Sequence, residues 1–269
     1  MFASRLFTPQ YNNLGNLHFL NILAFDTCSS YCTVALKVGS DIYTRIDNTK
    51  LSHSKYLLGF INSVLSDAKI EPSMLDAISL TCGPGSFTGI RIGIAVAQGI
   101  GFGNDIKIVP ISSLALVASA TRKQLIKENK TFSYVLATLD ARMNQLYGGW
   151  YDLRSAIPSL IGREWVLSPD KLPEIDSHDF SQYNGFNFKT YLHDRQNIDL
   201  KSAIIISGTG LEYLNHFPQE YIDISKNKFD NLQIHAADLI SLSEDALNKN
   251  IATSAEGLQP VYIRDNVVS

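Results

Sequence analysis

The chain has 269 residues, 45% of them apolar and 18% charged, and carries a net charge of −3. That is an ordinary globular composition, long enough for one large domain or two lobes, and it lacks the basic field by which a chain holds a phosphate backbone unaided. Three cysteines, Cys28, Cys32 and Cys82, make no even framework and no Cys-x-x-Cys pair, which favours a reducing compartment and a cytoplasmic location.

Residues 1–20 hold one arginine, Arg5, and no apolar run of signal-peptide length, so they read as a loose N-terminal extension or a start placed too early. The first lobe, 21–112, opens with a predicted β-meander over Ile22–Phe25, Tyr31–Val38 and Ile42–Ile46. A helix over His53–Lys69, a buried strand over Leu75–Leu80, a helix over Ser86–Gly103 and a strand over Lys107–Ile111 follow. Pro84-Gly85 suits the centre of a type II turn and Ser86 the N-cap of the next helix.

The second lobe, 113–269, starts with a helix capped by Ser112-Ser113 and running to about Asn129. Strands over Phe132–Leu139 and Gln145–Tyr151 flank a turn in which Asp140 and Arg142 read as an ion pair or turn cap. Residues 153–199 read as irregular, with short strands and a short helix near Asp170. A strand over Ala203–Ser207 leads into Gly208-Thr209-Gly210, and a last helix over Ala236–Lys249 is placed to pack back on the first lobe. Meander strands followed by alternating helices and strands predict an α/β chain with mixed sheets under helical cover. No continuous apolar run has the length of a membrane span.

Two helices carry unusual faces. On His53–Lys69 the apolar residues, Tyr56, Leu57, Leu58, Phe60, Ile61, Val64, Leu65 and Ala68, sweep about 200° at 100° per residue, whereas one sheet-facing stripe needs about 100°. On Ser86–Gly103, Gly89, Gly93, Ala97 and Gly101 recur every fourth residue, although each internal glycine costs a helix about 1 kcal/mol. A close approach by another backbone would offset that cost. Together the faces predict an interface with another chain through Tyr56, Leu57, Phe60, Val64, Gly89, Arg91, Gly93 and Ala97, with loops of the same chain as the alternative cover.

Small-ligand chemistry has weaker signals. Asp26 and Thr27 at a strand end, Gly83, Gly85 and Ser86 at a helix entry, and Gly208 and Gly210 after a strand are candidate nucleotide or anion contacts. Each also reads as a plain turn or helix entry. No two histidines stand three to five residues apart, so no helical pair is offered to a metal, and no catalytic residue is assigned.

Ile22-Leu23-Ala24-Phe25-Asp26-Thr27, His53-Ser54, Cys82-Gly83-Pro84-Gly85-Ser86-Phe87-Thr88-Gly89-Ile90-Arg91-Ile92-Gly93, Ala97-Gln98-Gly99, Ser112-Ser113-Leu114, Asp140-Ala141-Arg142-Met143 and Pro260-Val261-Tyr262 resemble, in order and spacing, the bacterial TsaB family of tRNA threonylcarbamoyladenosine biosynthesis proteins. The similarity is strong over about Asn21–Leu116 and scattered beyond it. It implies two lobes of the actin, heat-shock chaperone and sugar kinase type. It also implies a non-catalytic scaffold subunit that dimerises with a larger catalytic paralogue, TsaD, and works with a small ATPase, TsaE. TsaD holds a metal through a His-x-x-x-His pair that this chain lacks. The subunit would meet tRNA indirectly, hold no cofactor of its own, leave ATP to the assembled complex, and pair with a second copy when the partner is absent. The alternatives are a stand-alone ATP-dependent kinase using Asp26, Thr27, Gly208 and Gly210, and a metallopeptidase of the same fold.

Overall fold

A computed structural model describes residues 20–47, 53–172, 200–229 and 232–263, the side chains of 53–55 and 200–201 excepted. Residues 1–19 of the N-terminal extension and residues 173–199 of the segment expected to be irregular lie outside the described residues. The first sheet comprises β1 (Ile22–Asp26), β2 (Cys32–Val38), β3 (Asp41–Asp47), β4 (Ala77–Thr81) and β5 (Lys107–Ile111) in the order β3-β2-β1-β4-β5. The meander pairs antiparallel and β4 and β5 add in parallel. The second sheet has β6 (Tyr134–Asp140), β7 (Leu146–Asp152), β8 (Ser159–Leu167), β9 (Ile204–Ser207) and β10 (Lys228–Phe229) in the order β10-β9-β6-β7-β8. It repeats the same mixture of an antiparallel meander and parallel strands. The two-lobed α/β architecture expected from the sequence is the one observed.

Helix α1 (His53–Ala68) and helix α2 (Phe87–Asn104) lie on one face of the first sheet, where Leu23, Phe25, Ile78 and Leu80 meet Leu57, Ile61, Val64, Ile90 and Ile94. Alternation along β1 and β4 turns Ile22, Ala24 and Ala77 to the opposite face. That face is covered by the last helix: of α3 (Ser113–Lys127), α4 (Leu200–Ala203), α5 (Gln219–Ile224) and α6 (Ala237–Asn248), it is α6 that contacts β1, β2, β4 and β5. A buried Lys37 of β2 pairs with Glu244 of α6, and the Ala236 N–H donates to Thr33 Oγ1 at 3.0 Å. Helix α3 packs on α6 and on the second sheet, so the two helices lie between the sheets.

Three local expectations differ. The Gly83–Pro84 peptide is cis and Gly85 has a φ of +156°, so the junction after β4 is not a type II turn. The segment expected to be irregular contains the nine-residue strand β8, beside a bulge between Gly148 and Trp150; the short helix near Asp170 is a 3-10 turn over Pro169–Lys171. A 3-10 segment, Thr209–His216, and α5 were not expected; with Phe217 between them, they supply Leu211, Tyr221 and Ile224 to the core of the second lobe. Among the described residues no helix is long and apolar enough to cross a membrane.

Candidate functional site

Helix α2 begins where Ser86 Oγ accepts the Gly89 N–H at 3.2 Å and ends at Asp105, whose left-handed backbone (φ +53°) returns its N–H to Gly101 O. Its small-residue stripe points inward. A Cβ at Gly93 would stand 2.6 Å from Thr27 Oγ1, and one at Gly89 would collide with the Thr27 carbonyl. Gly101 sits against Ile106 and Ile108, and Ala97 is fully buried. The backbone that approaches the stripe is therefore the chain's own β1–β2 turn and sheet. This corrects the expectation that Gly89, Gly93 and Ala97 face a partner: all three are enclosed in the first lobe.

Leu57 and Val64 need the same correction. Both are fully buried in the core that α1 shares with the first sheet, so neither is available to another chain. Tyr56 and Phe60 are half-buried and stack with centroids 5.8 Å apart, while Arg91 is exposed. What solvent sees instead is the opposite side of α2, an arc of about 160° from Phe87 through Arg91, Phe102, Ala95 and Gly99 to Gly103. Phe102 is 72% exposed and Leu58 on α1 54%. Around Gly99, Gly103 and Gly59 of α1, nothing lies within 4 Å of where a Cβ would be. Ala95, Gly99 and Gly103 are thus a second run of small residues at four-residue spacing, offset from the first and visible in the sequence, that packs against nothing in the described chain. These outward glycines cost helix stability with no return from the described residues.

The candidate anion residues divide between the sheets. Asp26 ends β1, fully buried; its Oδ1 accepts the Cys28 N–H at 2.9 Å and the Thr81 hydroxyl, and its Oδ2 has no partner among the described residues. The Thr27 hydroxyl donates to Gly89 O at 2.7 Å, and the Ser86 N–H donates to Cys28 O at 3.0 Å. The space beside Gly85 is taken by Cys28 O and that beside Gly83 by Val261 O, each within 3 Å of where a Cβ would stand. The Val261 N–H in turn donates to Cys82 O at 2.9 Å. The glycine turn is filled by the chain itself, from one side by the β1–β2 turn and from the other by the C-terminal tail. Gly208 and Gly210 follow β9 in the second sheet and pack on Thr138.

Burial pushes all three thiols up: Cys32 and Cys82 to about 12, and Cys28 further, with the Asp26 carboxylate adding to the effect. At the tip of the β6–β7 hairpin Arg142 pairs with Asp140 at 3.1 Å, as expected, and the Tyr213 hydroxyl donates to the same carboxylate at 3.0 Å. Among the described residues no three of His, Cys, Asp and Glu converge as a ligand set.

Residues 47–269 match the family TsaD, described as tRNA N6-adenosine threonylcarbamoyltransferase. The chain is 28% identical over 250 residues, 92% of its length and 95% of the relative's, to the tRNA threonylcarbamoyladenosine biosynthesis protein TsaB of Haemophilus influenzae. It is 26% identical over 249 residues, 92% and 96% of the two lengths, to the TsaB of Escherichia coli. Among solved structures it is similar to YeaZ from Pseudomonas aeruginosa, with a TM-score of 0.72 and 28% identity over 91% of this chain and 100% of that one. The resemblance carried by the sequence motifs holds.

Proposed function

We propose a function that starts from family membership: the chain belongs to the TsaD family of tRNA N6-adenosine threonylcarbamoyltransferases, and the relatives to which it is similar over most of its length carry the name TsaB. Its role is in the biosynthesis of threonylcarbamoyladenosine on tRNA, in the cytoplasm, as a non-catalytic subunit that pairs with the catalytic paralogue TsaD and acts with the ATPase TsaE. The observation that supports pairing is the outer face of α2 with Leu58 of α1, apolar, smooth and without cover from the described chain. Burying such a face lets backbones approach closely and removes exposed aromatic surface from water.

ATP, in this reading, is used by the assembled complex and not held by this chain alone. The filling of the glycine turn by Cys28 and Val261 supports that assignment. The test is reconstitution of the tRNA modification from TsaD, TsaE and substrates with and without this chain. Product formation that requires this chain supports the reading, and product formed equally well without it contradicts the reading.

A further inference from the structure

The Pro260-Val261-Tyr262 motif stands far along the chain from α2, yet the fold brings it to the start of that helix. After α6 the chain returns across the first lobe. Thr253 bridges the edge strand β5, accepting the Ile108 N–H at 2.9 Å and donating its own N–H to Ile108 O at 2.8 Å. Gln98 Nε2 donates to the carbonyls of Ala255 at 3.0 Å and Leu258 at 3.4 Å, and both residues are buried in the core that α2 shares with the first sheet. The bond from Val261 to Cys82 fixes the tail once more and sets the next residue beside the first turn of α2.

Tyr262 and Arg91 meet there. Arg91 Nε donates to the Tyr262 hydroxyl at 3.4 Å, the guanidinium carbon lies 3.8 Å from the centroid of the Phe87 ring, and the Phe87 and Tyr262 rings are 6.0 Å apart. An exposed arginine loses rotamer freedom when a partner fixes it; here a ring and a hydroxyl already hold it in the free chain. With Nε engaged, the N–H donors of the two terminal nitrogens have no partner among the described residues, and together they form the end-on fork that donates in parallel to both oxygens of a carboxylate. Arg45, Arg142 and Arg154 each pair with a carboxylate of this chain, whereas Arg91 has none among the described residues.

The surroundings select the ligand. Arg91 is the one charged side chain in α2, and Phe87, Tyr262 and the adjoining Val261 are 56%, 45% and 44% exposed. A phosphate backbone is gripped by several cations at once. A single arginine among exposed aromatic and apolar side chains has the composition of a protein–protein hot spot. We infer that Tyr262 is a positioning residue: with Phe87 it aims the Arg91 fork at a carboxylate of the paralogue, so that the C-terminal tail forms one border of the pairing face. The inference rests on the proposed function and adds to it what the partner presents, an aspartate or a glutamate. A lysine could not replace Arg91, because an ammonium has no planar fork to stack or to pair twice.

Titration calorimetry of the full chain with the paralogue tests this with Arg91→Ala, Arg91→Lys, Tyr262→Phe, Tyr262→Ala and the Arg91→Ala/Tyr262→Ala double variant, each with a thermal melt as the check on folding. The expected result is at least a tenfold loss of affinity for Arg91→Ala, at least a threefold loss for Arg91→Lys and for each Tyr262 variant, and no further loss when Tyr262→Ala is added to Arg91→Ala. Wild-type affinity in Arg91→Lys or in either Tyr262 variant overturns the inference. Losses that add in the double variant also overturn it, since Tyr262 would then act on the partner directly. Fluorescence anisotropy with labelled tRNA covers the other occupant: an Arg91→Ala variant that pairs as wild type but loses affinity for tRNA gives the fork to a phosphate and contradicts the inference. A paralogue bound equally by wild type and every variant removes this inference alone, whereas a wild-type chain that does not bind the paralogue removes the proposed function with it.

Discussion

The Thr27 hydroxyl donates to the carbonyl oxygen of Gly89 at 2.7 Å and occupies the space where a Cβ of Gly93 would stand. One threonine in the β1–β2 turn thereby accounts for two of the four glycine and alanine positions on the inner stripe of α2. The outer run, Ala95, Gly99 and Gly103, has no such reason within the described chain.

The two runs therefore respond in opposite ways to one methyl group. Gly93→Ala overpacks the core and lowers stability by about 1–3 kcal/mol, while Gly99→Ala raises the stability of the isolated chain by up to about 1 kcal/mol. Urea denaturation of both variants at one pH checks the contrast. Equal losses at both sites would mean that the outer run is packed as well.

Sequence periodicity disclosed both faces of α2 but not their orientation. A four-residue spacing states that Gly89, Gly93 and Ala97 share a side; what stands opposite the two glycines is decided by Thr27, 62 residues before Gly89. On α1 the wide apolar arc was legible, yet Leu57 and Val64 are its core-facing part and Leu58 its outward part, a division that depends on how the helix sits on β2 and β3. Strand β8 escaped because Gly162, Arg163 and Glu164 interrupt its apolar pattern at a sheet edge with one side half open. The filling of the glycine turn by Val261 joins residues far apart in the chain, which no local motif reports.

Removing exposed apolar surface at the proposed interface leaves the fold alone and weakens the complex. Leu58→Asp and Phe102→Asp are each expected to reduce affinity for the paralogue at least tenfold, about 1.4 kcal/mol, with an unchanged thermal midpoint for the isolated chain. Titration calorimetry alongside a melt provides both readings. Wild-type affinity in both variants would move the interface elsewhere.

Between the lobes, Ser112, the cap of α3, donates through its hydroxyl to Glu164 of β8, which also accepts the Tyr151 hydroxyl. Burial raises the Glu164 carboxyl above its usual range, partly offset by those two hydroxyls. A raised carboxyl favours the folded state fully below the unfolded value of 4.5 and loses that contribution as pH rises through the folded value. Glu164→Gln keeps an acceptor without the charge, so it should melt above wild type at pH 7, with the gap closing towards pH 4. A gap independent of pH would assign the effect to packing.

The thiols offer a simple probe of the first lobe. Buried, with Cys32 and Cys82 raised to about 12 and Cys28 higher still, they should not react with a thiol-exchange dye in the folded chain at pH 8. All three should react once urea unfolds it. Rapid reaction of a thiol without denaturant would show that the glycine turn or the first sheet opens readily.

Hydrogen exchange of the chain, free and saturated with the paralogue, tests the central claim most directly. The account predicts slowed exchange in peptides spanning residues 56–62 and 88–105, with the second sheet unchanged. A stable complex in which those peptides exchange as in the free chain, with protection confined to the second lobe, would contradict it.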